Sequence, residues 1–352
     1  MPLRALLIVC LFAICLGAVN AAEPNPRIVT AREPKLNKEF EYLVFDLGEG
    51  VELRLVRVAA KGATFTIGST KDEQDKVVQR YFDGKRPASL DFEEAASVTL
   101  TDDYYIGQFE VYRAQFRRFV ADTMYLTDGE MAEGGYGYNE STRKFEGRDK
   151  KNTWQNTGVS SAGEQHPVSN VTRNDARKFC EWLLKKCDGK VKVQEVRLPG
   201  EAEWEYACHG GSASRFSCGD DDEQLAEFAN IPDATWLEKL GGPSSKAIKA
   251  NDGHAFAAPV GQFKPNAYGI YDMHGNVWEW VDDFFGKYSA LPKEGNARQT
   301  KSQGEERPVL RGGSWGPPYG CRIATRYLVG LGPSRYMAAG FRVVVVPAAI
   351  VK

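Results

Sequence analysis

Histidine is scarce in this sequence. The four present, His166, His209, His254 and His274, have no spacing that would gather them on one metal. There is no His-Glu-x-x-His segment, which excludes a zinc hydrolase of that signature. No glycine loop runs into Lys-Ser or Lys-Thr, which excludes a phosphate-binding loop. An excess of one charge is missing too, since 45 basic residues face 47 acidic ones. A nucleic-acid footprint needs a strong basic surplus, and no Lys/Arg block is dense enough for a membrane-surface patch. No internal repeat is present, and no low-complexity boundary splits the chain into two domains.

The one long apolar run, Ala5 to Val19 in "MPLRALLIVCLFAICLGAVNAA", follows a lone Arg4 and gives way to Asn20 and Ala21. This is the build of a secretory signal peptide, residues 1–21, cleaved after Ala21 and short for a membrane span. The mature chain is expected to be secreted or periplasmic, with no membrane span. Roughly 330 residues remain, enough for one large domain with a buried core. The 35 glycines set among 18 Phe, 15 Tyr and 7 Trp predict tight turns pinned by aromatic rings rather than long regular elements. Five cysteines follow the leader: Cys180, Cys187, Cys208, Cys218 and Cys321. An odd number in an oxidising compartment leaves at least one thiol unpaired.

"AEPNPRIVTAREPKLNK" is polar and proline-punctuated, so residues 22–42 read as a linker before a domain at 43–347 and a tail at 348–352. "VELRLVRV" alternates as a half-buried strand, with a slip at Leu55-Val56 that predicts a bulge. Phe116, Phe119 and Val120 have helical spacing. So do Ala176, Phe179, Cys180, Leu183 and Leu184, behind Thr172 and Asp175 as a cap. "PGEAEWEYAC" reads as a short helix stopped by Gly210-Gly211, and "GFRVVVV" as a final strand. "WEWVDDFF" reads as a helix on which Asp282 and Asp283 point apart. "CGDDDEQ" reads as a solvated acidic turn. Two polar stretches, Glu133 to Glu164 and Phe285 to Arg307, are expected to be long loops that carry specificity.

Taken in order, "GATFTIGS", "YYIGQFEVYRAQFRRF", "QHPVSNVTRNDARKFCEWL", "RLPGEAEWEYACHGG", "YDMHGNVWEWVDD", "RGGSW" and "GFRVV" resemble the formylglycine-generating enzymes, or sulfatase-modifying factors, over roughly residues 43 to 347. The resemblance implies an α+β fold with little regular secondary structure, related to C-type-lectin folds and stabilised by calcium. Active members use copper and oxygen to convert a cysteine, within a Cys-x-Pro-x-Arg segment of a sulfatase, to formylglycine.

Calcium takes several oxygen ligands, often from one tight loop. By resemblance, one site is Asp272, the Gly275 and Val277 carbonyls and Glu279. A second is Asn230, the Ile231 carbonyl, Asp252 and the His254 carbonyl. The plainer alternative is a helix cap at Asp272 and a turn at Asp252-Gly253.

Copper(I) favours thiolates, and active relatives supply two cysteines with four residues between them. Cys321 best fits the second position, but Gly316 stands five residues before it. Copper is therefore expected only if the chain is active. Ser314 and Cys321 are the catalytic candidates by resemblance. The family's structural disulfides look absent, and Cys208 with Cys218 is a local substitute. Trp278, Trp315, Tyr319 and Arg322, with Arg326, Arg335 and Tyr336, are expected to line a ligand cleft, while Arg342 belongs to the core. The reading is a divergent or non-catalytic, calcium-stabilised module that binds protein, peptide or glycan. The alternative is a formylglycine-generating oxidase working through Cys321.

Overall fold

A run of valines near the C-terminus organises the architecture. Phe341, Val343 and Val345 join one apolar cluster while Val344 and Val346 join another, the pattern of a strand covered on both faces. In the computed structural model, which describes residues 25–241, 247–301, 306–316, 318–329 and 334–348, Val344–Pro347 lies inside a six-stranded antiparallel sheet. The order is Arg27–Glu33, Lys38–Asp46, Glu52–Val58, Tyr104–Gly107, Val344–Pro347, Val193–Arg197. Helices Arg113–Thr123 and Arg173–Lys185 supply Phe116, Phe119 and Phe179 to one face. Helix Glu201–His209 supplies Trp204 to the other. A second sheet, ordered Tyr327–Leu328, Pro308–Arg311, Trp278–Phe284, Ala339–Gly340, packs beside it.

The caps stand where local chemistry puts them. Thr172 accepts from the Asp175 amide and Asp175 reaches back to the Thr172 amide, while Gly210 ends its helix with φ of 57°. Leu184 is exposed and Trp182 takes its place on the buried stripe.

Several expectations are corrected. No bulge interrupts Glu52–Val58. Leu55 and Val56 are both buried because both faces of the sheet are covered. Much of the expected linker forms the hairpin Arg27–Glu33 and Lys38–Asp46. Its turn is anchored by Lys35, which donates to the carbonyls of Gly261, Gln262 and Phe263 at 2.7, 3.0 and 2.6 Å. "WEWVDDFF" is a strand, not a helix, so Asp282 and Asp283 face opposite ways because side chains alternate. "GFRVVVV" splits between the two sheets. The stretch Glu133 to Glu164 contains the hairpin Gly135–Asn139 and Lys144–Asp149. In the "CGDDDEQ" turn Asp222 is buried, holding Arg80 at 3.0 Å and the Tyr81 hydroxyl. All five described cysteines are free thiols. Cys208 faces the Met273 carbonyl rather than Cys218. The leader and residues 349–352 of the tail lie outside the described residues.

Helix Glu201–His209 buries three glutamates, each matched by arginine. Arg311 and Arg326 hold Glu201, Arg197 holds Glu203, and Arg311 also reaches Glu205. Asp283 has no such partner. It accepts from the Glu201 amide at 2.8 Å and the Gln299 amide, and burial followed by the nearby Glu201 charge pushes its carboxyl up to about 7. A raised carboxyl favours the folded state below its unfolded value, near 4, and loses that contribution as pH rises through 7. Between about pH 4 and pH 7 the wild-type unfolding free energy should therefore fall more steeply than that of Asp283→Asn, by up to about 1.4 kcal/mol per pH unit, with the melting temperatures following. Parallel pH profiles would refute this origin.

Candidate functional site

Two tight loops meet behind the second sheet. Asn230 and Gly275 form a parallel bridge, and the Asn276 amide donates to the Asn230 carbonyl at 3.0 Å. Gly275 has φ of 73°, and a Cβ there would lie 2.2 Å from the Asn230 carbonyl oxygen. Only glycine permits this approach. Asn230 of one expected calcium set and Gly275 of the other, forty-five residues apart in the chain, are thus adjacent.

Their oxygens differ in occupation. Among the described residues, three buried side-chain oxygens have no hydrogen-bond partner: Asn152 Oδ1, Asn230 Oδ1 and Asp272 Oδ1. Two of the three belong to the expected sets, which is what a cation site looks like when only protein partners are counted. Asp272 Oδ2 accepts from the Gly261 amide at 2.7 Å. Glu279 is committed more heavily, to Arg342 at 2.6 Å through each oxygen and to Trp204 Nε1 at 2.8 Å. An ionised carboxylate has about four lone-pair sites, so it retains acceptor capacity. Asp252 accepts from the His254 amide at 2.7 Å. Burial pushes the Asp252 and Asp272 carboxyls up.

Glu110 was not singled out in the sequence. It is buried, accepts from Asn276 Nδ2 at 2.8 Å and the Val277 amide at 3.2 Å, and is pushed far up by burial and by Asp272 and Glu279. It stands between Phe109 and Val111 in "YYIGQFEVY", and nothing local announces its partners, which come from residues 272–279. Three buried carboxylates therefore share a neighbourhood with the Arg342 guanidinium and, at Asp272, the Lys35 ammonium, a balance that still leaves room for a divalent cation. No three His, Cys, Asp or Glu side chains among the described residues form a closed metal cluster. A cation here must use amide and backbone oxygens, as the expected sets do.

The catalytic candidates lie against the back of the same loops and are closed off. Cys321 is fully buried among Phe216, Leu225, Ala229, Ile231 and Ile248. Its thiol donates to the Ser314 carbonyl at 3.5 Å, and burial pushes it up to about 12. Gly313, with φ of 79°, covers the sulfur, since a Cβ there would lie 2.5 Å from Sγ. The Cys321 carbonyl accepts from His274 Nδ1 at 2.8 Å, leaving Nε2 to accept from the Ser217 amide at 3.1 Å. Both ring nitrogens are engaged, and burial lowers the imidazole to about 4. Gly312 to Gly316 also spells Gly-x-Ser-x-Gly. No nucleophile elbow is formed, because a 3₁₀ turn at Pro318–Cys321, not an α-helix, follows the strand.

The residues expected to line a ligand cleft divide into partly buried aromatic rings and buried arginines, with Trp278 and Tyr336 both packing on Tyr327. Trp278 packs on Tyr327 at 5.3 Å, Trp315 on Phe145 and Phe256, and Tyr319 on Phe82 and Tyr81. Arg322 is buried in an ion pair with Glu93 at 2.8 Å, and Arg326 in one with Glu201. Arg335 donates to the Gly134 carbonyl at 2.6 Å, and Tyr336 stacks on Tyr136. These arginines lock elements together instead of facing a ligand. Arg342 is in the core, as expected.

The calcium assignment makes a thermal prediction. Calcium at about a hundredfold excess over its Kd should stabilise the protein by ~2.7 kcal/mol relative to chelator, a rise of several degrees in Tm. Asp272→Asn and Asn230→Ala should each reduce that response. Identical melting in calcium and in chelator would remove the assignment.

The family model of the sulfatase-modifying factor enzyme 1-like domain matches residues 56–346. Over 245 residues the chain is 33% identical to a formylglycine-generating enzyme of Mus musculus, covering 64% of this chain and 60% of that protein. It thus spans about three-fifths of that relative's length. It is 27% identical over 289 residues to the inactive C-alpha-formylglycine-generating enzyme 2 of Bos taurus, covering 77% and 79%. Among solved structures, PvdO from Pseudomonas aeruginosa matches with a TM-score of 0.61 and 26% identity over 86% of this chain and 97% of that one. The α+β fold with few helices, the ordered motifs and the match over most of the length agree: the chain belongs to the formylglycine-generating enzyme, or sulfatase-modifying factor, family.

Proposed function

We propose that this chain is a non-oxidising member of its family, a calcium-stabilised module exported from the cytoplasm that binds a protein, peptide or glycan. The observation that carries the reading is the state of Cys321. A copper(I) site needs an accessible pair of thiolates. Here the candidate thiol is buried, held un-ionised and covered by Gly313, and Gly316 stands where a second cysteine would be needed. The residues present do not fit copper, and no oxidation step is derived through it.

Calcium fits better. Asn230, Asp252, Asp272 and Glu279 with the carbonyls of Ile231, His254, Gly275 and Val277 would hold it. Its part would be to neutralise buried carboxylates and hold two loops in register. The leader supports export, and among the described residues no helix is long and apolar enough to cross a membrane. Balanced charge speaks against nucleic acid as a partner.

Copper(I) titration of the reduced mature protein, beside Cys321→Ser, tests the reading. The expected result is no one-to-one binding beyond that of the variant, and no copper-dependent oxygen consumption with a Cys-x-Pro-x-Arg peptide. Tight stoichiometric binding lost in Cys321→Ser would establish the oxidase alternative instead.

A further inference from the structure

We propose that a cavity of about 720 Å³, bounded by the turn of the Gly135–Asn139 hairpin, the 160–166 loop, helix Ala234–Leu240 and the 253–259 loop, binds a short neutral oligosaccharide. This deepens the binding reading above and rests on it only for the expectation of a ligand. Cys321 does not line the cavity. Its size lies within the roughly 300–1,000 Å³ usual for small-molecule sites.

The aromatic surface comes first. Phe256 packs against Tyr138 at 4.8 Å, and both line the cavity. Trp315 meets Phe256 at 5.5 Å and carries Phe145 nearly parallel on its face, at 6.1 Å and 5°. Phe145 is 56% exposed, an unusual state for a large apolar ring with aromatic neighbours. The rings cross rather than share a plane, Phe256 meeting Tyr138 at 57° and Trp315 at 74°, and they form an aromatic corner at the cavity edge whose exposed member is Phe145. An exposed ring face suits the C–H face of a pyranose, which is apolar while its edges are polar.

The polar lining selects against ions. Glu140 and Glu238 offset Arg143 and Lys239, so neither an anion nor a cation meets a field of one sign. Arg143 is moreover committed to the carbonyls of Glu238 and Lys239. His166 accepts the Gly163 amide on Nδ1 at 2.9 Å, which places its proton on Nε2 as a donor. It stays neutral because burial lowers it to about 4. Carboxylate acceptors, a neutral imidazole donor and the rim hydroxyls of Ser160 and Ser161 match a ligand with many hydroxyls and no charge.

A glycan array spanning neutral, acidic and amino sugars, followed by calorimetry with the retained trisaccharide, tests the proposal. Neutral glycans should be retained over charged ones. Ser161→Trp, on the exposed rim, and Phe145→Ala, at an exposed ring, should each weaken binding about tenfold or more, ~1.4 kcal/mol, without lowering Tm. Retention of no neutral glycan, preference for charged ones, or equal affinity in both variants would overturn it. The copper titration reads Cys321 alone, so either proposal can fail while the other stands.

Discussion

The Arg342–Glu279 pair is the contact on which the rest of the site depends. Neither side chain is accessible to solvent. Removing two charges from water costs several kcal/mol each, and the pair holds only if every donor finds an acceptor. Arg342 meets that demand by donating to both Glu279 oxygens and to the carbonyls of Gly107 and Tyr271. One guanidinium thereby joins the large sheet, the second sheet and the 272–279 loop. It also sets the charge balance there, since Arg342 pairs directly with Glu279 while Glu110 and Asp272 feel its charge at longer range, with Lys35 adding to it at Asp272. The cation proposed above would answer the same demand for positive charge that the buried pair answers at Glu279.

The same logic explains why arginines expected in a ligand cleft are found inside. Arg322 and Arg326 each face a buried glutamate, as Arg311 does beside them. A chain with so little regular structure has few ladders to hold its segments together, and bidentate guanidinium contacts can substitute across loops. Such a scaffold does not depend on an oxidising cysteine. Cys321 can be a packing residue, as apolar as its neighbours Ile231 and Ile248, with no effect on the contacts that define the fold.

What the sequence disclosed follows the range of the interactions involved. The Thr172 cap and the Gly210 stop are decided within four residues and were legible. The two loops expected to hold calcium were singled out through short motifs, and a bridge at Asn230 and Gly275 joins a segment of each. The hairpin at Arg27–Glu33 read as linker because its prolines and charges are local while its stabilisers are distant. Lys35 reaches carbonyls more than two hundred residues away. "WEWVDDFF" read as a helix because nothing in eight residues announces that Pro308–Arg311 will pair with it. Glu110 and the burial of Cys321 were illegible for the same reason, as each is defined by neighbours from other parts of the chain.

Cys321 and the oligosaccharide cavity place opposite demands on the chain. The thiol is enclosed by residues that a substitution would disturb, with Gly313 and the His274 hydrogen bonds fixing its surroundings. The cavity is walled by a hairpin, a seven-residue helix and two loops, whose outward side chains can change without touching the buried ion pairs. One wall, Gly253 to Phe256, continues from Asp252 and so from an expected calcium loop. A cation held there would fix the position of Phe256 without meeting the ligand, leaving side chains on the other walls to set what is recognised.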